Sequence, residues 1–368
     1  MPKFLKHFDW ILLLAIILLI SIGVLMIAST TLGESGNLDL PTKQAIFAVV
    51  GLVAFFLVAQ VDLEIWRSLA WPIYLGSLLM LAAIFLYGFE SHGSVRWFDF
   101  GAFRLQPSEL VKLSTILLLA EMMSTRNMHR IKNILLTLAI VGVPTALTFL
   151  QPDLGSAIVM LSIWLGMIMT VGIGRRYLIA GTVAVIGGLP LTYQLIQPYQ
   201  RARLLSFLNP GSDPLGAGYN VIQSTIAVGS GEIFGRGFGR GTQSHLNFLP
   251  EHSTDFIFAT LAEELGLFGA LILLILLGVL VWRILRGIPH TDRFGGLVLV
   301  GMAVMISFQA AVNIGMNLGL APVTGITLPL VSYGGSSLIT ILIGLGLAAG
   351  IIARGHQRKI VDLDQDLG

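Results

Sequence analysis

Ten stretches of roughly twenty apolar residues constrain this chain more than any other feature. They lie near 10–29, 43–61, 68–88, 106–123, 133–150, 154–173, 177–195, 255–283, 293–318 and 334–353. A run of about 20 apolar residues is what a helix needs to cross a hydrocarbon core of about 30 Å. Helices satisfy their own backbone groups there, so each run predicts a helix. The expected fold is an all-α integral membrane protein with ten transmembrane helices. Hydrophobic residues make up 55% of the chain and charged residues only 11%, against about 25% charged in soluble domains. A water-soluble fold of 368 residues could not cover its surface with so few charges. The net charge of +2 gives no reason to expect nucleic acid. With no cysteine, disulfides and thiol chemistry are excluded.

Lys3 and Lys6 precede the first run and imitate a signal peptide. The run is too long for a typical signal core and further spans follow, so it reads as an uncleaved first helix. Basic residues in short loops set orientation. With both termini cytoplasmic, 14 of the 22 Lys and Arg residues fall on the inner side. The outer side and its span ends hold Lys43, Arg96, Arg104, Lys112, Arg201, Arg203, Arg236 and Arg240. No internal repeat stands out, and the whole chain, 1–368, reads as a single polytopic membrane domain. Its longest non-spanning part is an extracytoplasmic loop over 196–252, between spans seven and eight. Tyr199, Phe207, Tyr219, Ile222, Phe234 and Phe248 argue against disorder there. The loop is expected to fold back on the membrane surface, with a helix around 218–229.

Ionisable groups inside a span are costly and mark function or structural pairing. Glu109 and Lys112 share a helix face at i, i+3 and can neutralise each other. Glu109, Asp153 and Asp255 each stand at an outward helix start, where capping and dipole compensation are the ordinary roles. Ser336 stands at a fourth such start. Helix N-termini attract anions, and the outer arginines break the positive-inside trend. Together they predict an outer-leaflet site for an anionic, phosphorylated ligand. Gly235 to Gly241 is a glycine-rich run, but it follows no strand and opens no βαβ unit, so nucleotide binding is rejected. Glu263 and Glu264 are deep and need partners, best read as a structural network. The histidines are scattered without ligand spacing, which gives no metal site.

Several motifs are more specific. Arg96-Trp97-Phe98 and Arg104-Leu105-Gln106-Pro107-Ser108-Glu109-Leu110-Val111-Lys112 come first. Gln151-Pro152-Asp153-Leu154-Gly155 and Asp213-Pro214-Leu215-Gly216 follow, then Phe248-Leu249-Pro250-Glu251, Thr254-Asp255-Phe256 and Glu263-Glu264-Leu265-Gly266. Asn313-Ile314-Gly315-Met316 and Leu328-Pro329-Leu330-Val331-Ser332-Tyr333-Gly334-Gly335-Ser336 close the series. In this order and over nearly the whole chain, they resemble the SEDS family of cell-wall polymerases. Gly241 to Leu246 and Leu261 to Glu264 resemble its elongation (RodA) branch more than its division (FtsW) branch. One departure is Ser253, which stands where the family often has His before Thr-Asp; His252 is one position earlier.

The resemblance implies a peptidoglycan glycosyltransferase of the bacterial cytoplasmic (inner) membrane. It would polymerise lipid II, the undecaprenyl-pyrophosphate-linked disaccharide-pentapeptide, into β-1,4 glycan strands for elongation and rod shape. Its implied partners are a class B penicillin-binding protein transpeptidase and other elongasome proteins. The family's catalytic acid falls on Asp255. An α-linked donor giving a β product inverts, which needs a base on the face opposite the leaving group and positive charge for the departing pyrophosphate. Asp255 is the expected base, with Glu109, Lys112, Asp153 and Thr254 as supporting polar groups. Arg104, Arg201, Arg203, Gln106 and Ser336 are the expected substrate-binding residues. Asp153 could also ligate a cation, and a divalent ion (Mg2+ or Mn2+) is the one cofactor candidate. Trp97 and Tyr219 could stack on sugars, although interface anchoring suits both. Two other classes remain open: a lipid II flippase, and a non-catalytic scaffold for a penicillin-binding protein. Clustering of polar groups at outer helix ends, with no repeat, favours surface chemistry over translocation.

Overall fold

The computed structural model describes residues 8–31, 39–91, 94–101, 103–174, 176–177, 179, 198–209, 211, 218–245 and 251–366. Helices dominate: α1 (Trp10–Thr31), α2 (Asp39–Gln60), α3 (Leu63–Tyr87), α4 (Pro107–Thr125), α5 (Ile131–Leu150) and α6 (Leu154–Val171). They continue with α7 (Pro198–Leu208), α8 (Tyr219–Ser230), α9 (Thr242–His245), α10 (Ile257–Arg286), α11 (Arg293–Asn317) and α12 (Gly335–Asp366). Between α3 and α4 lies a small antiparallel sheet the sequence reading lacks, of strands β1 (Phe89–Ser91), β2 (Ser94–Asp99) and β3 (Arg104–Leu105), in that order.

Among the described residues, eight helices are long and apolar enough to span a membrane. These are α1, α2, α3, α5, α6, α10, α11 and α12, and their bounds follow the apolar runs. The expected span 177–195 falls almost wholly outside the described residues. The fourth expected span, α4, carries Glu109, Lys112 and Glu121, too many charges for a lipid-facing helix. Its environment explains this: 15 of its 19 residues are buried, and α3, α5, α6, α11 and α12 pack around it. Outer helices instead expose large side chains such as Leu57, Leu79 and Ile275. Such a surface is a liability in water and the norm in lipid.

Lipid offers no hydrophobic drive for helix association, so close packing must hold the bundle. The α2–α12 contact shows how: a Cβ on Gly346 would overlap the Phe55 carbonyl. The expected helix near 218–229 is α8. It packs on α10 and α11 rather than only lying along the surface.

Downstream of α8 the chain makes a deeper intrusion. Gly266 breaks α10 with φ 67° and ψ −164°, leaving backbone groups open in mid-bundle. An unpaired backbone group in a membrane interior costs several kcal/mol. The glycine-rich segment fills the gap. Arg236 and Gly237 donate their N–H groups to the carbonyls of Glu263 and Glu264, each at 3.0 Å. Leu267 and Phe268 donate to the carbonyls of Glu232 and Ile233 at 2.9 and 3.1 Å.

The two deep glutamates complete this join, as the expected structural network. Both are fully buried. One Glu263 oxygen accepts from the Thr242 N–H at 2.7 Å, the Thr242 hydroxyl at 3.0 Å and the Gln243 N–H at 3.0 Å. Glu264 accepts from the Ser29 hydroxyl of α1 at 2.6 Å and the Gly239 N–H at 3.2 Å. Gly235 is therefore a packing residue, in a run that resembles a phosphate loop without being one. A Cβ on Gly235 would overlap the Glu264 carbonyl, and φ there is 78°. Gly235→Ala should lower the melting temperature in detergent, by a change on the order of 1–3 kcal/mol in stability. An unchanged melting curve would show that the segment does not dock as described.

Candidate active site

The site forms at one end of the bundle, where α4, α6 and α12 begin and the turn 251–256 leads into α10. Asp255 lies in that turn, one residue before Phe256, which caps α10 without a side-chain bond. Asp255 therefore does not cap the helix. Glu251 opens the turn in the left-handed region, φ 54°. Its carbonyl accepts from the N–H groups of Thr254 at 3.1 Å and Phe256 at 3.2 Å. The Thr254 hydroxyl donates to the Glu251 carboxylate at 3.0 Å.

The turn is locked from behind. Asn313 and Asn317, one turn apart on α11, each donate to the Asp255 carbonyl at 3.0 Å. Asn313 also donates to the Ile326 carbonyl at 2.7 Å. Asn317 accepts from the Ala259 N–H at 3.0 Å. Ser332 donates to the Thr254 carbonyl at 2.6 Å, and Tyr333 donates its N–H to the Ser253 carbonyl at 2.9 Å. Two asparagines and the 318–334 segment thus fix the backbone that carries Asp255.

Charge gathers around the Asp255 carboxyl. Burial pushes its pKa up to about 6, Glu251 raises it further, Arg203 and Arg96 oppose the rise, and Asp153 adds to it. Arg203 reaches in from α7 and donates to the Val323 carbonyl at 3.3 Å. The same segment faces the carboxyl: a Cβ on Gly325 would sit 3.6 Å from Asp255 Oδ2.

Asp153 does cap its helix, accepting from the Ser156 N–H at 3.1 Å. Its other oxygen accepts from the Gln106 amide at 3.2 Å, and the Gln106 N–H donates to the Ser336 hydroxyl at 3.1 Å. This chain joins the starts of α4, α6 and α12. Arg96, on β2, donates to the Gln151 carbonyl at 3.0 Å and to the Pro152 carbonyl. Below them Glu109 and Lys112 form an ion pair at 2.8 Å, with side chains only 7% and 3% exposed. Lys112 thus supports the site from beneath rather than presenting its ammonium at the surface.

Arg104 is placed differently from the Asp255 group. It is exposed on β3 and pairs with Asp99 at 3.2 Å; its charge also opposes the burial-raised pKa of Tyr333. Arg201 lies on α7 two residues before Arg203. Both Asp153 oxygens are engaged, and no group of three or more His, Cys, Asp or Glu with ligand geometry occurs among the described residues. Arg96, Glu251 and Asn313 stand in the sequence motifs and Asn317 one turn beyond Asn313, but nothing in their spacing marks them as neighbours of Asp255.

The arrangement is a carboxyl of raised basicity within the field of two arginines, with a buried ion pair on α4. Comparisons with known proteins agree with the motifs. A family model described as a cell cycle protein family, FtsW/RodA/SpoVE, matches residues 7–357. The peptidoglycan glycosyltransferase MrdB of Escherichia coli (strain K12) is 40% identical over 349 residues, covering 94% of this chain and 93% of its own. The stage V sporulation protein E of Bacillus subtilis (strain 168) is 38% identical over 361 residues, covering 93% and 96%. Among solved structures, a chain of a peptidoglycan synthase complex, described as coordinating polymerization and crosslinking, matches with TM-score 0.81 and 36% identity, over 95% of this chain and 99% of that one. The rod shape determining protein RodA of Thermus thermophilus matches with TM-score 0.71 and 30% identity, over 94% and 97%. The helical bundle, the ordered motifs and these likenesses together show that the chain is a multi-pass membrane protein belonging to the FtsW/RodA/SpoVE family.

Proposed function

We propose that the protein is a peptidoglycan glycosyltransferase of the bacterial inner membrane, polymerising lipid II for cell elongation. The observation that carries this reading is the setting of Asp255: a carboxyl with its pKa raised to about 6 by burial, between Arg203 and Arg96. A general base works best with its pKa near the working pH, where it is ionised yet still basic. Asp255 takes the proton of the acceptor hydroxyl as that oxygen attacks the anomeric carbon of the donor. Arg203 and Arg96, whose charges act on the Asp255 carboxyl, can oppose the charge of a departing pyrophosphate. Arg201, on the same helix as Arg203, and Arg104, at the rim, extend the basic surface. Gln106, Asp153 and Ser336 hold the helix starts in register, and Thr254 positions Glu251.

The match to a synthase complex supports a class B penicillin-binding protein as partner. The fixed Asp255 turn and the buried Glu109–Lys112 pair favour surface chemistry over lipid II flipping, which would need a path for the head group. Purified protein with its partner synthase and labelled lipid II should yield glycan polymer. The rate should rise with pH through about 6, because Asp255 acts only when deprotonated, and flatten above it. Translocation of lipid II without polymer at any pH would contradict this reading.

A further inference from the structure

At the opposite end of α10 from Asp255 lies a cavity of about 180 Å³, lined by Asp9, Arg283, Arg286, Gly287, His290 and Ile352. The stretch of α10 beyond Gly266 alone spans about 30 Å, so this cavity sits at the other membrane face. We propose that it binds the phosphate of an anionic phospholipid headgroup.

The charges decide the sign of the ligand. Among the described residues Asp9 is the one acid lining the cavity, and Arg283 neutralises it: Asp9 Oδ2 accepts from Arg283 Nε at 2.7 Å and pairs with Nη2 at 2.6 Å. Its other oxygen caps α1 through the Leu12 N–H at 3.0 Å. Arg286 then supplies a net positive charge. Among the described residues no ion pair includes it, and its guanidinium lies 5.2 Å from the centre of the Trp282 ring. His290 adds a second nitrogen-bearing wall. The cavity's volume of about 180 Å³ leaves room for a phosphate group.

The surroundings point to a lipid as the source. Ile352 is an apolar wall, and Trp282 and Leu285 beside Arg286 are exposed on the lipid-facing side. Exposed Trp prefers the headgroup depth, and basic pockets between helices at this level suit anionic lipid headgroups. A bound headgroup would tie together the start of α1, the end of α10 and α12.

The test is lipid binding to the delipidated, detergent-purified full chain, read by native mass spectrometry and melting temperature. Phosphatidylglycerol should bind and raise the melting temperature, whereas phosphatidylcholine should not. Arg286→Gln should weaken phosphatidylglycerol binding about fivefold, the fold-change matching about 1 kcal/mol per basic residue near the surface. Arg130→Gln removes an equal charge outside the cavity and should bind as the wild type does. Arg286 is exposed, so Arg286→Gln should keep a wild-type elution profile. Wild-type binding by Arg286→Gln, or an equal loss in Arg130→Gln, would overturn the site. Stabilisation by inorganic phosphate alone, without phosphatidylglycerol binding, would overturn the lipid.

Discussion

Replacing Asp255 by Asn should lower glycan polymerisation by about 10²–10⁴-fold, the usual contribution of a positioned general base. The substitution keeps the shape of the side chain and leaves its backbone carbonyl bonded to Asn313 and Asn317. The turn should therefore stay in place and the protein should fold as before. The residual rate should also lose its rise near pH 6, since that rise belongs to the Asp255 carboxyl. A variant that kept the same pH profile at reduced rate would place the base elsewhere.

Lys112→Met should be the most destabilising single change near the site, by about 3–5 kcal/mol, because it strands Glu109 as an uncompensated buried charge. Both side chains lie inside α4, of whose 19 residues 15 are buried. The double substitution Glu109→Gln with Lys112→Met removes both charges and should recover most of the loss. Melting curves of the single and double variants in detergent give the check. Equal destabilisation by both would mean that packing, rather than charge, sets the cost. If the double variant folds but polymerises poorly, the pair also serves the chemistry above it.

Much of the fold was legible because lipid demands long apolar runs and helices are the simplest way to satisfy their backbones. The run beginning at Leu154 and the one ending near Leu150 predicted α5 and α6 almost to the residue. The break at Gly266 was not legible, since the apolar pattern continues through it and a single glycine is common in membrane helices. The segment that mends it lies some thirty residues upstream, and only the fold brings Arg236 and Gly237 to the carbonyls of Glu263 and Glu264. The short strands from Phe89 to Leu105 escaped for a different reason: three short strands carry too little periodicity to read.

At the site, Asp255 stood out as an acid at a helix start. Its electrostatics did not, because they depend on Glu251, Arg203, Arg96 and Asp153 converging from four parts of the chain. The asparagines that hold its carbonyl sit within an apolar helix, where a polar residue signals a partner but does not name one. Asp153 behaved as its position suggests and caps α6. Asp255 did not, because the chain turns one residue before the helix begins.

The most direct test of the account measures lipid II binding and glycan formation together, in the same reconstituted membranes, for the wild-type protein and Asp255→Asn with the partner synthase present. Asp255→Asn should bind lipid II within about threefold of the wild type, since the arginines remain, and should lose polymer by at least about 10²-fold. Polymer formed by Asp255→Asn at the wild-type rate would contradict it.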